Sequence, residues 1–421
     1  MRRLLVLGLV LGAGCEWVAS PEDFTREEVP RFKADATHTA PTTPPTSLKV
    51  MAWNVKYGAC RVDFWFDFWG DRVQLTSDET TSCLTNLASL IRAYDPDILM
   101  TEEIEVDSKR SAYVDMVRFF LENTNLGYGA YFETWNDSYV PSEGLGRINL
   151  GNAIFSRYPI TKAERIRQVD RTDQDLLTKT FYIKRAVGRV ELDLAGAGTV
   201  AAFVVHTEAY DTDGTKQKQL QQIYDLLKAE PLRWVIGGDF NELPPVCDER
   251  ADAGTPESCS GKLQLSGFAD EAPATVGTPY AQPPYTPSAM KKFYDTYEPY
   301  ITLARYGTSV DTQKLYFTHS VKGPPPLPDA GTSDGGTDGG LTDAGVRDAG
   351  VTDAGVVWTR TLDYLFIQKG TPLLGADGGL LDAGTHWRDT DVLQAQGRDG
   401  LQADPTRLSD HAPIVGTWVL P

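Results

Sequence analysis

The chain has 421 residues, 41% of them hydrophobic and 10% aromatic, which is enough apolar surface for one large core or two modest ones and excludes a disordered chain. Its formal net charge of −18 weighs against holding nucleic acid by bulk electrostatics. It leaves room for an enzyme whose metal ions supply the local positive charge.

The start, MRRLLVLGLVLGAGC, places two arginines before an apolar stretch from Leu4 to Leu11 and small residues before Cys15, the build of a bacterial export signal too short to span a bilayer as an anchor. LGAGC resembles the lipobox of bacterial lipoproteins, with Gly12 where leucine is usual. Residues 1–14 are therefore expected to be a signal peptide and Cys15 the lipidated N-terminus; the plainer reading is an ordinary signal peptide whose cysteine is incidental. Glu16 does not supply the aspartate of inner-membrane retention, so the expected location is the outer membrane or, without lipid, outside the cell. Residues 15–47, ending in TAPTTPPTS, read as a lipidated N-terminus with a proline- and threonine-rich tether, and the folded domain is expected over 48–421.

From Leu48 the chain alternates short β-like runs with helical patterns. LKVMAW predicts a strand, Leu84, Leu87, Ile91 and Tyr94 a helix, DILM a strand, and Tyr113, Val114, Val117, Phe120 and Leu121 a second amphipathic helix. Further strands are predicted at NAIFS, AVGRVEL, TVAAFVV, RWVI, KLYFT, TLDYLFI and PIVGTWVL, with a helix from about Gly214 to Ala229. Strands predominate, which argues for two packed sheets flanked by helices. Between KLYFT and TLDYLFI, at about 321–357, a short Asp-Ala-Gly-rich unit recurs with six aspartates, one arginine and almost no large apolar residue. Such a segment cannot form a packed core and is expected to be a disordered insertion. With Cys15 set aside, Cys60, Cys83, Cys247 and Cys259 are even in number, and the local pairs Cys60–Cys83 and Cys247–Cys259 are preferred because each closes a short loop. DFWFDFWG at 63–70 is either an aromatic loop that meets a membrane or hydrophobic ligand, or a buried loop pinned by the first disulfide.

Polar residues gather where these runs end. WVIGGDFN puts Asp239 and Asn241 on one face by the two-residue period, with Phe240 pointing back to the core; a plain turn would use the same residue types. VMAWNV ends on Asn54, DPDILMTEEIE on Glu102 and Glu103, AAFVVHTEA on His206, and RLSDHAPIV begins on Asp410 and His411. Carboxylate and amide oxygens suit a hard divalent cation, and histidines suit proton transfer or phosphate contact.

Taken together, AWNV (52–55), DPDILMTEEI (95–104), GNAIFSRYPI (151–160), HTEA (206–209), GGDFN (237–241), TLDYLF (361–366) and SDHAPI (409–414) resemble, in order, the motifs of the endonuclease/exonuclease/phosphatase superfamily. That family includes pancreatic deoxyribonuclease, abasic-site endonucleases, bacterial sphingomyelinases and inositol polyphosphate phosphatases. The resemblance implies an α+β fold, a four-layer α/β/β/α sandwich of two packed, mainly antiparallel sheets flanked by helices. It implies a phosphoesterase, most simply a phosphodiesterase working by in-line attack of an activated water, with a non-catalytic binding protein of the same fold as the alternative.

Residue by residue, it makes Asn54, Glu103 and Asp410 the metal group and Asp239 and Asn241 the pair that orients water and phosphate. It sets His206 and His411 about the phosphate, with Asp363 orienting and charging His411. Asn152 and Arg157 become substrate-side candidates, with structural roles as the counter-reading. The implied cofactor is a divalent ion, magnesium first, then manganese or calcium. The implied partners are a phosphoester substrate, nucleic acid or a phospholipid head group, and a membrane if Cys15 carries lipid; the chain is expected to be monomeric. Glu102 stands where the family often has Gln, and Val204 and Val205 precede His206 where the family often has Asn-Thr. The extra carboxylate at Glu102 would add charge near the metal or sit at the surface.

Overall fold

The structure, a computed structural model, describes residues 24–35, 38–65, 70–141, 144–209, 213–245, 288–307, 310–320, 358, 360–370, 386–394 and 404–420. The export signal, Cys15, the 321–357 insertion and the Cys247–Cys259 pair lie outside them. Elements in chain order are β1 (Arg26–Glu28), β2 (Arg31–Lys33), β3 (Ser47–Asn54), α1 (Ser77–Tyr94), β4 (Ile98–Glu105), α2 (Met116–Asn123), β5 (Tyr128–Val140), β6 (Gly146–Ser156) and β7 (Ile160–Arg167). Then come α3 (Leu176–Phe181), β8 (Ala186–Asp193), β9 (Thr199–His206), α4 (Thr215–Ala229), β10 (Arg233–Asp239), α5 (Lys291–Thr296), β11 (Glu298–Pro299), β12 (Asp363–Ile367), β13 (Trp387–Val392) and β14 (Ile414–Val419).

The strands form two seven-stranded sheets, β1-β7-β8-β9-β10-β12-β11 and β13-β14-β3-β4-β6-β5-β2. Pairing is antiparallel except for β3 with β4 and β9 with β10. Each sheet is buried on both faces, and the two-residue period sorts the side chains. In β3, Val50 and Ala52 face the other sheet while Met51 and Trp53 face helices. The intersheet core joins Ala52, Met100, Ile154 and Phe132 to Val190, Val204, Val235 and Leu365. Leu84, Leu87, Ile91 and Phe120 of α1 and α2 cover the outside of one sheet, and Leu220, Ile223, Leu227 and Phe293 of α4 and α5 cover the other. The four expected layers are present, with few helices in the outer two.

Helix α1 starts on a capping box, Thr76 accepting from Glu79 N–H and Glu79 from Thr76 N–H, and stops at Asp95 in the left-handed region; satisfying the first free N–H groups fixes its register. The Cys60–Cys83 disulfide ties the loop after β3 to this helix.

Two expectations change, and three strands come without a sequence signal. The domain begins before Leu48: β1 adds to the edge of one sheet at β7 and β2 to the edge of the other at β5, so residues 26–33 are a strap across the open side of the sandwich and not tether. Ion pairs hold it, Arg26 with Glu164 (2.8 Å) and Arg165 with Glu27. KLYFT is not a strand; Lys314–Tyr316 is a 3-10 turn, because Tyr316 and Phe317 both bury there while Thr318 and His319 N–H both donate to Arg360 O. Strands β5, β7 and β13 were not legible, since ETWNDS, ITKAERIR and WRDTDV carry charged residues. In β7 those charges are neutralised: Glu164 meets Lys162 of its own strand and Arg26 and Arg189 of the flanking strands.

Candidate active site

Parallel pairing of β9 with β10 and antiparallel pairing of β10 with β12 put His206, Asp239 and Asp363 side by side in one row at the end of their sheet. In the facing sheet, Asn54 at the end of β3 pairs with Glu102 of β4. Strand β4 then bulges: Thr101 pairs with Ala153 and Ile104 with Gly151, so Glu102 and Glu103 together oppose Asn152, and Glu103 takes φ of 58°. A bulge of this kind re-aims side chains at the end of a strand. The segment before β14 brings Asp410 and His411 to the same place, Trp53 Nε1 donating to His411 O (2.8 Å) and Ser409 Oγ to Asn54 O (2.7 Å).

The two glycines of GGD make the approach of the sheets possible. A Cβ on Gly237 would lie 2.8 Å from Met100 Sδ and 3.2 Å from Ala52 Cβ of the facing sheet. One on Gly238, at φ of 133°, would lie 2.2 Å from Val205 O and 2.6 Å from Glu102 Oε1. Any side chain there would push Asp239 away from Glu102 and Asn54.

The side chains converge on Asp239. Its Oδ2 lies 3.5 Å from His206 Nε2 and 3.7 Å from His411 Nε2, and Asn54 Nδ2 donates to it at 3.4 Å. Its Oδ1 accepts from Asn241 N–H at 2.9 Å. His411 Nδ1 lies 2.8 Å from Asp363 Oδ2, and Asn54 Nδ2 also donates to Glu103 Oε1 at 3.1 Å. Asn241, at φ of 47°, donates its side-chain amide to Thr207 O at 3.0 Å. Phe240 turns back among Phe293, Tyr364 and Phe366, as the period predicts.

Burial separates the protonation states. His411 is desolvated, which lowers it, yet Asp363, Asp239 and Asp410 carry it up to about 10; it is a cation at neutral pH. His206 is held well below its ordinary range by burial, then by Arg185 and His411, so its ring is neutral. Asp239 is pushed up to about 7 by burial, with His411 opposing and Asp363 and Glu103 adding to the rise. Burial raises Asp410, but Lys56, 3.5 Å away, leads the cations that hold it below the usual carboxylate range.

Of the residues expected in the site, Asn54, Glu103, His206, Asp239, Asn241, Asp363, Asp410 and His411 come together. Asn152 is buried opposite the β4 bulge, its Nδ2 without a protein partner. Arg157 does not join them. It pairs with Asp95 and with Asp97 (3.7 Å), before the start of β4 and about five residues of strand, roughly 16 Å, from Glu102; its role is to tie β6 to the α1–β4 turn. Glu102 is not at the surface either. It is fully buried, neither carboxylate oxygen has a protein partner, and burial, then Asp363 and Asp239, raises it well above the carboxylate range, so it is a neutral acid, close in shape and polarity to the Gln the family often has there.

Four cationic or histidine side chains near the site were missed. Lys56 lies two residues after Asn54, its N–H donating to Asn54 Oδ1 at 3.1 Å. Arg185 precedes β8 and is buried, its Nε without a protein partner. Arg61 is buried and donates to Thr406 O and Ser320 O. His319 sets its ring 4.8 Å from that of His411. The signal for Lys56 was present in WNVK; the other three come from loops whose placement only the fold decides.

The family model described as the endonuclease/exonuclease/phosphatase family matches residues 51–411. No curated protein matches the chain. Among solved structures, the endonuclease/exonuclease/phosphatase from Beutenbergia cavernae DSM 12333 is similar at 14% identity, covering 89% of this chain and 72% of that one, with a TM-score of 0.46. The family protein from Leptotrichia buccalis C-1013-b gives 13% identity, 88% and 98% coverage and 0.43. TDP2 of D. rerio, complexed with single strand DNA product, gives 13%, 89% and 99%, and 0.42.

Proposed function

Because the chain belongs to the endonuclease/exonuclease/phosphatase family, we propose that it is a divalent-metal-dependent phosphodiesterase, exported and tethered to a membrane through Cys15. The observation that carries the catalytic reading is the buried set His206, Asp239, Asp363 and His411, one neutral and one cationic histidine that both approach one carboxylate oxygen. Groups whose environments push their pKa values apart mark acid and base assignments.

The residues suit a hard cation. Asn54 hydrogen-bonds Glu103, and Glu103 is raised by burial and by the charge of Asp410, so a cation held by these oxygens would relieve both. A tighter cluster of donor atoms is Asp239, Asp363 and His411, but the hydrogen bond between His411 and Asp363 already uses the ring nitrogen and the carboxylate as an acid–base pair, so Glu103, Asp410 and Asn54 are the better metal group. When bound, the ion neutralises charge on the phosphate and the leaving oxygen.

Asp239 orients water toward phosphorus and takes its proton, with Asn54 and the Asn241 N–H fixing the carboxylate. As the water oxygen bonds to phosphorus, the bond to the leaving oxygen breaks; that oxygen takes a proton from solvent water, and Asp239 returns the one it took to solvent. His411, held cationic by Asp363, donates to a phosphoryl oxygen, and neutral His206 supplies a second contact on the other side. The charge of Arg185 acts on His206 and helps to keep its ring neutral. Hydrolysis of bis(4-nitrophenyl) phosphate by the full chain, with magnesium, manganese, calcium or chelator, tests this: ion-dependent release of nitrophenol supports it, and absence of release with every ion contradicts it.

A further inference from the structure

The loop that leaves β3 is held in a backbone conformation that its sequence does not favour. Lys56, Tyr57, Gly58 and Cys60 all have positive φ, between 41° and 66°, and only one of them is glycine. Strain of this kind persists where surrounding contacts over-determine it, and it gathers at functional sites. Here Lys56 pairs with Asp410 (3.5 Å), the Arg110 guanidinium lies 3.7 Å from the centre of the Tyr57 ring, Phe64 packs edge-on to the same ring, and Cys60 is joined to Cys83 of α1.

The disulfide lies beside the segment that carries Asp410 and His411. Cys83 Sγ is 3.9 Å from Leu408 O, two residues before Asp410. Arg61, next to Cys60 in the chain, donates through Nε to Thr406 O (2.7 Å) and through Nη1 to Ser320 O (3.0 Å). Ser320 N–H in turn donates to Asp410 O at 2.8 Å, and Ala412 N–H to Thr318 O at 2.7 Å. Residues 408–412 are thus gripped by the disulfide and by the 318–320 stretch, and Arg61 fastens that stretch and the turn before Leu408 to the strained loop.

Nothing in the surrounding core requires a charge at this point. Arg61 is only 4% exposed, its Nη2 has no protein partner, and burial pushes the guanidinium down to about 10 although Asp410, Asp63 and Asp404 favour its charge. A desolvated guanidinium with an unmet donor lowers stability. What it supplies in return is a fixed position for the chain on both sides of the catalytic segment.

We propose that Arg61 and the Cys60–Cys83 disulfide are positioning elements for residues 408–412, so that Asp410 and His411 hold their places only while the disulfide is formed, a reading that rests on the phosphodiesterase site proposed above. Cys60 is half-buried and Cys83 buried, which leaves one sulfur open to a thiolate. A dithiol breaks the S–S bond in two exchange steps, passing two electrons and two protons to the cysteines and closing its own disulfide. Cys60 then relaxes from positive φ and takes Arg61 with it, and Thr406 and Ser320 lose their tie to the loop.

The test compares the full chain with Cys60→Ala/Cys83→Ala, Arg61→Met, Arg61→Lys and Thr76→Ala, the last removing the N-terminal cap of the helix that carries Cys83 without touching the grip. Three quantities are read well below the unfolding midpoint: amide hydrogen exchange at Ser320 and Ala412, manganese binding by electron paramagnetic resonance, and turnover of bis(4-nitrophenyl) phosphate. In the double variant and in Arg61→Met, both amides should exchange about tenfold faster while those of β9 are unchanged, and manganese should bind about tenfold more weakly, with turnover falling alongside. Arg61→Lys should lie between these chains and the parent, and Thr76→Ala should lower the unfolding midpoint alone. Dithiothreitol should bring the parent to the values of the double variant and leave the double variant unchanged, which sets the other cysteines aside. Parent values that survive dithiothreitol once alkylation shows both thiols free, or a Thr76→Ala chain that loses protection and ion affinity as the double variant does, overturn the proposal. Faster exchange in the double variant, with no turnover by any chain, supports the positioning role and overturns the hydrolase reading beneath it.

Discussion

Two buried acids, Glu102 and Asp239, lie in one pocket with a histidine cation, and their states decide what the site can do. Glu102 is a neutral acid with no partner for either oxygen. Replacing it by Gln, Glu102→Gln, keeps the shape and removes the cost of ionising a desolvated group, so the variant should melt higher than the parent at pH 8 and retain its turnover. A lower midpoint, or turnover lost by tenfold or more, would show that the carboxylate is used as a charge.

The metal-free protein should lose stability as pH rises. The folded value of His411, about 10, lies above the ordinary 6.5 of an unfolded histidine, so its contribution is complete below about 6.5 and disappears toward 10. Asp239, raised to about 7, changes in the same direction over a lower range. Thermal midpoints in chelator should fall between pH 7 and 9, and a flat or rising profile would contradict the charged His411–Asp363 pair. At this scale the sequence was informative: Asn54, Glu103, His206, Asp239, Asp363, Asp410 and His411 all stand at strand ends and all meet. Arg157 takes the structural role that was its counter-reading, because GNAIFSRYP starts at Gly151 near the site and ends beyond Ser156, at the other end of β6.

Among the elements, β10 has the narrowest tolerance. It is central in its sheet and presses on β3 and β4 through Gly237 and Gly238, and a Cβ at Gly238 would meet backbone oxygen at φ of 133°. Gly238→Ala should therefore destabilise the fold by about 3 kcal/mol or more from the combined backbone strain and overpacking, measurable by urea unfolding, and slow turnover by displacing Asp239. A change under about 0.5 kcal/mol would mean that the sheets separate easily at this point. Strands such as β3, β9 and β10 were legible because continuous apolar runs mark burial on both faces. Strands β1, β5 and β7 were not, since their charged residues pair with partners beyond the local sequence, which local periodicity does not reveal.

For the whole molecule, the strap of β1 and β2 turns the apparent tether into part of the domain and closes both sheets at once. A chain starting at Leu48 would leave the edges of β7 and β5 unpaired, with Glu164 and Arg165 robbed of Arg26 and Glu27; bare edges invite association. Such a truncation should melt lower and aggregate during size-exclusion chromatography, where a chain starting at Phe24 stays monodisperse. Equal behaviour of the two would return residues 24–47 to the role of linker. The four layers themselves could be read from the ordered motifs and alternating strands, whereas the strap could not, because six residues in two short strands carry too little pattern. Whether the paired sheets assemble a metal-dependent phosphodiesterase around Asp239 and His411 is decided by turnover of bis(4-nitrophenyl) phosphate by the parent, His411→Ala and Asp239→Asn chains with magnesium and with chelator. Turnover is expected in the parent with the ion, with a loss of about two to four orders of magnitude in each variant and unfolding transitions that stay cooperative; turnover that survives either substitution, or is indifferent to chelator, rules that site out.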